Sequence, residues 1–420
     1  MNKKQKNLIQ YLIKKKNKIN SKYFYPLLDN AFSTEDLISG INVLISGQLT
    51  MSKRTREFEK AFAKKLGKKY ALMVNSGSSA NLLATFAACN PLRKNRFKSG
   101  DEALIPAICW STSLWPLVQS GLKPVFVDVE KDTLNVNPDL LLKKINKKTK
   151  VIMLVHVLGS STNVEKIKKI AKRKKIILIE DTCESLGAKF KNKYLGTFGD
   201  FGTFSFYFSH QITSGEGGMI VCDNFDDYEL LYCMRSHGWT RGLKSKKKIE
   251  KKYPKLDSKF IFINSGFNLR PTDIVASIGN SQFKKLDKFI KIRKENSLKI
   301  KNALIKSKKW NNQFSFQKIN LNVKPSLFGF PIFIHKRFSK KKKKFLKFLN
   351  KKGVETRPII SGNFLNQPSV KLFKLNKKYQ KFPEAQKVES LGFFIGLHTK
   401  KMKNEDLNRL VSMLLKIDTI

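Results

Sequence analysis

The sequence predicts an α/β fold with a mostly parallel central sheet, helices on both of its faces and a smaller C-terminal α/β domain. Short apolar runs rich in β-branched residues alternate with longer amphipathic stretches through the first half of the chain. This alternation is typical of parallel strands joined by helices that cover the sheet on both sides. The predicted strands of the large sheet are residues 70–74, 102–105, 124–127, 151–155 and 176–179.

Helical patterns fill the intervals between these strands and continue beyond them. The apolar spacing predicts one helix over residues 33–66 and another over residues 273–303. The helices predicted between the strands are residues 79–88, 114–119, 138–144 and 163–172. A second alternation follows, with strands predicted at 328–334 and 354–358 and helices at 340–351 and 404–415.

The length of 420 residues exceeds what one hydrophobic core usually supports, so more than one domain is expected. The patterns divide the chain into a basic N-terminal arm at residues 1–24, a large domain at residues 25–290 and a small domain at residues 291–420.

The chain carries 83 lysine and arginine residues against 32 acidic ones, a formal net charge of +51. A basic surface attracts phosphate whatever the sequence of its ligand, which raises nucleic acid as a partner. The lysines are nevertheless spread along the whole chain, and no nucleic-acid-binding motif accompanies them. We therefore do not predict a nucleic-acid partner, although the same field would favour a nucleotide-diphosphate substrate.

No apolar run reaches the roughly 18 residues that a membrane-spanning helix needs. The basic first 20 residues lack the continuous apolar segment of a secretory signal. The five cysteines form no C-x-x-C pair, and an odd, scattered set is typical of reduced thiols rather than of disulfides. The sequence therefore predicts a cytoplasmic protein without a membrane partner.

A polar loop follows the first predicted strand of the large sheet. Ligands of such sheets bind beyond the carboxyl ends of the strands, where loops lead into helices. Gly77 permits close approach of a ligand, and Ser78 and Ser79 offer hydroxyls and amides that suit a phosphate group. Taken alone, the same residues are equally compatible with a plain turn and a capped helix.

Two further residues follow strands of the same sheet. Asp181 stands after the strand 176–179, where a carboxylate can pair with a protonated ring nitrogen or simply cap a helix. Trp110 follows the strand 102–105 and is compatible either with stacking on such a ring or with a place in the core.

An aromatic strand then ends in a single histidine and a run of glycines. This segment, residues 202–218, contains Ser205 and His210 before Gly215, Gly217 and Gly218. Glycines allow a tight backbone path, which would hold one imidazole at the ligand-binding edge of the sheet. A lone histidine is more often structural, but this setting favours a functional one.

Together these motifs resemble those of the nucleotide-sugar aminotransferase family of the DegT/DnrJ type, which are fold-type-I enzymes that use pyridoxal 5′-phosphate (PLP). The resemblance covers roughly residues 25–420. It implies that Gly77, Ser78, Ser79 and Ser205 lie at the cofactor phosphate, that Trp110 stacks on the ring and that Asp181 binds its nitrogen. It also implies that Asn268, in the segment 266–271, reaches the phosphate of a neighbouring subunit, so that a homodimer shares its active sites.

The chain departs from that family at one decisive position. The family motif reads Ser-Phe-x-x-x-Lys-x-Ile-Thr-x-Gly-Glu-Gly-Gly, and His210 stands where the lysine should be. An imidazole has no primary amine to bond to the cofactor aldehyde, but it remains a good acid and base. Ordinary amino transfer is therefore disfavoured, whereas proton transfer at the cofactor remains available.

This pattern is similar to one branch of the family, the PLP-dependent sugar 3-dehydratases. Glu184 stands where aminotransferases usually carry glutamine, and the segments 235–241 and 357–364 resemble segments of that branch. In the first of these segments, His237 and Arg241 are candidates for substrate contacts. The branch removes the C3 hydroxyl of a nucleotide-linked 4-keto-6-deoxy sugar in the biosynthesis of dideoxysugars for lipopolysaccharide-type glycans.

Some members of the branch carry an iron–sulfur cluster on cysteines in the second half of the chain. Here the last cysteine is Cys233, so no such cluster is predicted. The cluster-free members take an amino group from L-glutamate to form pyridoxamine 5′-phosphate (PMP). The alternatives left open are a sugar aminotransferase with an unusual base, a non-catalytic relative of the fold and, least favoured, a nucleic-acid binder.

Overall fold

The computed structural model describes residues 3–17, 22–28, 31–93, 97–375 and 381–420. Its helices are α1 (Lys3–Asn17), α2 (Thr34–Ser46), α3 (Lys53–Leu66), α4 (Gly77–Ala88), α5 (Ser111–Gln119), α6 (Pro138–Lys144), α7 (Val164–Lys174), α8 (Phe225–Arg235), α9 (Lys246–Lys252), α10 (Asp273–Phe283), α11 (Leu286–Ile305), α12 (Lys342–Lys351), α13 (Pro368–Leu372), α14 (Pro383–Leu391) and α15 (Asn404–Leu414). Its strands are β1 (Tyr70–Val74), β2 (Glu102–Pro106), β3 (Lys123–Val127), β4 (Thr149–Val155), β5 (Ile177–Asp181), β6 (Lys189–Phe190), β7 (Lys193–Tyr194), β8 (Phe201–Ser205), β9 (Gly218–Cys222), β10 (Phe314–Phe316), β11 (Val323–Lys324), β12 (Gly329–Ile334), β13 (Thr356–Arg357) and β14 (Gly392–Gly396).

The large sheet has seven strands in the order β1-β9-β8-β5-β4-β2-β3. Strands β3, β2, β4, β5 and β8 pair in parallel, whereas β9 runs antiparallel to both β8 and β1. The parallel strands are almost entirely buried, as expected when helices cover both faces. A mostly parallel sheet was predicted from the strand–helix alternation, and the structure has it.

Apolar clusters form the core on either side of this sheet. One cluster joins β1 and β2 to α4 and α5 and contains Leu83, Ile105 and Leu117. Another lies under α3 and α10 and contains Phe58 and Phe62, whose rings are fully buried. Both faces of the sheet are therefore packed against helices, and the carboxyl ends of its parallel strands lead into loops.

Two long predicted helices are each split in the structure. The segment 33–66 forms α2 and α3, because Gly47 adopts the left-handed conformation (φ 70°) and ends α2. The segment 273–303 forms α10 and α11, which are separated at Lys284 and Lys285. The predicted helical periodicity is confirmed in both segments, but the breaks between their helices were not predicted.

A second, four-stranded sheet has the order β10-β12-β14-β13 and is antiparallel throughout. Helices α11, α12 and α15 pack beside it around Phe345 and Leu410. Tyr25 joins the same cluster, and its hydroxyl donates a hydrogen bond of 3.0 Å to the carbonyl oxygen of Gly396. The strand predicted at 354–358 is reduced to the two residues of β13.

Among the described residues, the structure contains no helix both long and apolar enough to cross a lipid bilayer.

Candidate active site

The N-terminus of α4 lies at the carboxyl edge of the large sheet. Ser76 caps this helix, since its side chain accepts a hydrogen bond of 3.0 Å from the backbone N–H of Ser79. A Cβ atom at Gly77 would lie 2.8 Å from Oγ of Ser205 and 3.0 Å from Sγ of Cys183. Only glycine fits here, and the first turn of α4 therefore sits directly against the end of β8. The free N–H groups of such a turn attract anions.

Asp181 is the last residue of β5 and is 4% exposed. Its Oδ2 atom accepts hydrogen bonds of 2.7 Å from the amide of Asn81 and of 2.7 Å from the hydroxyl of Ser113. The hydroxyl of Thr203 donates to Oδ1 of Asn81 at 2.6 Å, which turns the amide donor of Asn81 towards Asp181. Asn81 of α4 and Ser113 of α5 thus orient the carboxylate directly, and Thr203 of β8 orients it through Asn81.

Trp110 caps the N-terminus of α5 and is 56% exposed. The alternative of a core tryptophan is therefore wrong for this position. The hydroxyl of Ser78 donates to Oγ1 of Thr112 at 3.1 Å, so the starts of α4 and α5 lie side by side. The exposed indole is thus available to stack on a ligand at this edge.

His210 lies in the turn between β8 and β9, which we call the histidine turn and define as residues 207–214. Its ring packs edge-on against Phe328 at 5.3 Å and Tyr207 at 6.0 Å between centroids. Its Nδ1 atom is buried and has no hydrogen-bond partner among the described residues. Burial lowers the pKa of the imidazole to about 4, against the opposite effects of a hydrogen bond with the Ser205 backbone, of the Asp181 charge and of a hydrogen bond with the Cys183 backbone.

Glu184 lies beside this turn. Its Oε2 atom accepts a hydrogen bond of 3.0 Å from the backbone N–H of Leu158. Burial raises the pKa of the Glu184 carboxyl to about 7, and the Asp181 charge adds to that effect. Near neutral pH the site therefore holds a neutral imidazole and a Glu184 carboxyl that is protonated in about half of the molecules.

The remaining predicted residues lie in the segments that follow α8 and precede α10. His237 has a left-handed backbone (φ 67°), and its ring nitrogen lies 3.4 Å from a guanidinium nitrogen of Arg270. Arg270 also donates a hydrogen bond of 3.0 Å to Oδ1 of Asn268, and both side chains are exposed. Arg241 stacks on the ring of Trp239 instead. Within the described residues, none of these contacts reaches α4 or the histidine turn.

Sequence reasoning missed several residues that support the site. Asn81 was visible as a polar residue one turn after Gly77, directly before an apolar run of α4. Ser113 and Thr203 gave no signal, because single hydroxyl residues are common at helix starts and in strands. Arg293 was hidden in the lysine-rich pattern of α11.

A buried pair behind the sheet was missed as well. Nε2 of His156 lies 2.9 Å from Oε2 of Glu180, and both side chains are fully buried. Burial tends to raise the pKa of Glu180, but the hydrogen bonds from His156 and from the backbone of Gly199 and Gly196 hold it below its ordinary value. The sequence presented Glu180 only as the neighbour of Asp181.

The fold and the site define an enzyme of the aminotransferase class. The chain belongs to the DegT/DnrJ/EryC1/StrS aminotransferase family, whose sequence profile matches residues 33–415. This agrees with the predicted family and with its fold-type-I architecture.

The relatives within this family are more specific. The GDP-4-keto-6-deoxy-D-mannose 3-dehydratase of Escherichia coli O55:H7 is 38% identical over 383 residues, which cover 91% of this chain and 97% of the relative. A crystal structure of a His-to-Asn variant of GDP-4-keto-6-deoxymannose 3-dehydratase with bound GDP-perosamine is 37% identical and has a TM-score of 0.85, covering 93% of this chain and 100% of that one. The structure of such a dehydratase with a trapped PLP–glutamate geminal diamine is 36% identical and has a TM-score of 0.82, with 93% and 100% of the two chains covered.

Proposed function

We propose that this chain is a PLP/PMP-dependent 3-dehydratase of a nucleotide-linked 4-keto-6-deoxy hexose, with GDP-4-keto-6-deoxy-D-mannose as its substrate and L-glutamate as the amino donor that regenerates PMP. One observation carries the proposal. In a segment that otherwise matches the family motif, His210 stands where the family has its lysine. The 3-dehydratase relatives, which are similar over nine-tenths of the chain, support it.

The residues present fit the cofactor. The first turn of α4, which closes against Ser205 only because residue 77 is glycine, suits the phosphate group. The anchored carboxylate of Asp181 suits a protonated ring nitrogen, and the exposed indole of Trp110 suits the ring face. In its protonated form, Glu184 offers a donor and an acceptor, as does the glutamine that aminotransferases carry there.

When bound, the cofactor supplies an amine that reacts with the C4 ketone of the sugar and a pyridinium ring that accepts electrons. Asp181 stabilises the proton on the ring nitrogen, because its carboxylate is held in place by Asn81 and Ser113. Ser78 and Ser79 hold the phosphate and so fix the position of the ring.

His210 performs the proton transfers. Its neutral imidazole removes a proton from the C4′ carbon, and the resulting imidazolium protonates the C3 hydroxyl oxygen as the C3–O bond breaks. Because His210 has no primary amine, it does not compete with the sugar for the cofactor. The balance is one sugar that loses an oxygen atom, one glutamate that becomes 2-oxoglutarate and one ammonia released.

We also propose roles for the two domains and for three exposed residues. The large domain at residues 25–290 holds the cofactor, and the small domain at residues 291–420 completes the site. Asn268 is exposed, which suits a contact with the phosphate of a neighbouring subunit in a homodimer. His237 and Arg241 are exposed as well and are proposed to contact the nucleotide-sugar substrate.

The test is a reaction with PLP, L-glutamate and GDP-4-keto-6-deoxymannose, followed by mass analysis of the products. The wild-type chain should yield the substrate mass less one oxygen atom, together with ammonia. A sugar that has gained an amino group would instead identify an aminotransferase. A chain that binds neither PLP nor PMP would be a non-catalytic relative.

Variants of His210 test its role directly. His210→Asn should lose about 10²- to 10⁴-fold in turnover while still binding PMP, because only the proton transfer is removed. His210→Lys should gain a new visible absorbance with PLP and lose dehydration. His335→Asn is the matched control, because His335 caps the turn after β12 by accepting from the backbone N–H of Arg337. Near-normal turnover by His210→Asn would refute the assignment.

A further inference from the structure

The histidine turn is held by hydrogen bonds of its own backbone. Inside the turn, the backbone N–H of His210 donates to the carbonyl oxygen of Tyr207 at 3.0 Å, and that of Ser214 donates to Phe206 at 3.0 Å. The Nδ1 atom of the ring has no partner among the described residues. A general base normally needs a second group that orients it. Here the orientation comes from the packing of the ring against Phe328 and Tyr207 and from the fixed position of the main chain.

Arg293 provides such a fixed position from outside the turn. It lies in the middle of α11 and is 3% exposed. Its guanidinium donates to the carbonyl oxygens of His210 at 3.2 Å and Gln211 at 3.1 Å. A third bond of 3.0 Å reaches the carbonyl oxygen of Leu397, just after β14. One side chain thus joins two consecutive peptide groups of the histidine turn to the second sheet.

The side chain of Gln211 anchors the histidine turn to two other segments of the chain. Its amide nitrogen donates to the carbonyl oxygen of Glu184 and, at 3.1 Å, to that of Ser326. His210 is therefore followed by a residue whose main chain and side chain are both anchored. Only the carbonyl groups of His210 and Gln211 depend on Arg293.

The chemistry of arginine suits this task. Its planar fork presents several N–H groups in a fixed geometry, so it can bind two neighbouring carbonyl oxygens and a third one at the same time. A lysine offers only a compact ammonium on a flexible stem and cannot reproduce that arrangement. If Arg293 were removed, the partly buried carbonyl group of His210 and the buried one of Gln211 would lose this partner, and the turn would be free to shift.

We infer that Arg293 is a positioning residue, which fixes the imidazole of His210 for proton transfer by binding the carbonyl oxygens of His210 and Gln211. The inference rests on the proposed role of His210 and deepens it. Arg293 acts through the main chain of the histidine turn, since its hydrogen bonds to the turn end on carbonyl oxygens. A displacement of about 1 Å in a catalytic group is enough to cost on the order of 100-fold in rate.

The first experiment compares Arg293→Met and Arg293→Lys with Asn296→Ala as the control. Asn296 lies on the same helix and also binds the segment after β14, through carbonyl oxygens of His398 at 3.2 Å and Lys400 at 2.8 Å. Among the described residues, it makes no hydrogen bond with the histidine turn. Arg293→Met should lower kcat about 100-fold with KM for the sugar changed less than about threefold, and Arg293→Lys should recover only part of the loss.

A second measurement uses the cofactor-free chain and does not depend on turnover. Hydrogen exchange of the amides in residues 207–214 should become faster in Arg293→Met and remain unchanged in Asn296→Ala. Equal changes in both variants, in exchange or in kcat, would mean that Arg293 merely joins α11 to the second sheet, and the inference would be wrong.

The double variant separates this inference from the proposed function. In a His210→Asn background, Arg293→Met should cause little further loss, because both changes remove the same proton transfer. A further loss of about 100-fold would show that Arg293 acts independently and would overturn the inference alone. Near-normal turnover by His210→Asn by itself would instead overturn the proposed function.

Discussion

The regions around His156 and His210 differ in how completely their histidines are bonded. Both histidines lie close to the carboxyl end of β5. The ring of His156 is fully buried, with Nε2 2.9 Å from Glu180 and Nδ1 2.9 Å from the hydroxyl of Ser161. The ring of His210 is only partly buried, and its Nδ1 atom has no partner among the described residues. A histidine with both ring nitrogens hydrogen-bonded stabilises the fold, whereas a histidine with a ring nitrogen that lacks a partner is available for proton transfer.

The same contrast applies to the two consecutive acids at the end of β5. Successive side chains of a strand point to opposite faces of the sheet, so Glu180 and Asp181 serve different sides. Glu180 accepts hydrogen bonds from the backbone of Gly196 at 2.9 Å and of Phe198 and Gly199 at 2.6 Å, which closes a loop behind the sheet. Asp181 faces α4 and α5 and belongs to the site.

The largest effect on stability is expected from removing the His156 side chain. Replacing His156 with leucine leaves the buried charge of Glu180 without its main partner, which should cost about 3–5 kcal/mol in the free energy of unfolding. Denaturant unfolding of the cofactor-free chain measures this loss. Adding Glu180→Gln to the variant should recover part of it. A loss below about 1 kcal/mol would show that the pair is not structural.

An intermediate effect is expected in the pH dependence of stability. His210 has its pKa lowered from 6.5 to about 4, so its contribution is present above pH 6.5 and is lost as the pH falls towards 4. Glu184 has its pKa raised from 4.5 to about 7, so its contribution is present below pH 4.5 and is lost as the pH rises towards 7. Between pH 4.5 and 6.5 the two slopes oppose each other.

Single variants should expose each slope in the cofactor-free chain. The stability of the wild type relative to His210→Asn should rise with pH up to about 6.5 and then level off. The stability of the wild type relative to Glu184→Gln should fall with pH up to about 7. Denaturant unfolding at a series of pH values checks both, and two slopes of the same sign would contradict the assignment.

The smallest effect on stability is expected from removing the hydrogen bond between Ser161 and His156. Ser161→Ala removes the partner of Nδ1 of His156 and should cost about 1 kcal/mol in the free energy of unfolding, without a change in kcat. The control is Ser412→Ala, because Ser412 is exposed on α15 and bonds only to the carbonyl oxygen of Arg409. A change in the pH profile of turnover in Ser161→Ala would mean that the His156 region takes part in the chemistry.

The sequence predicted those parts of the site that depend on local chemistry. Gly77 and Ser79 follow a strand and begin a helix, and Gly77 lies against Ser205 in the structure. His210 was recognised because a motif with a single departure draws attention to that departure. Neither inference needed contacts between distant segments of the chain.

The residues that were missed act over long distances in the sequence. Arg293 binds a turn that lies on another part of the chain, and nothing in the pattern of α11 marks it among the surrounding lysines. His156 directly follows β4 and Glu180 lies on the neighbouring parallel strand β5, so their contact depends on the register of these two strands. The break between α2 and α3 was missed because the apolar spacing continues through Gly47.

The position of β1 has a consequence for how the chain is made. This strand lies at the edge of the large sheet, and its neighbour there is β9, which lies far downstream. During synthesis, β1 and the phosphate-binding turn of α4 therefore leave the ribosome long before their partner strand exists. We expect the cofactor site to remain unformed in nascent chains that end before residue 222, and to be completed late in translation.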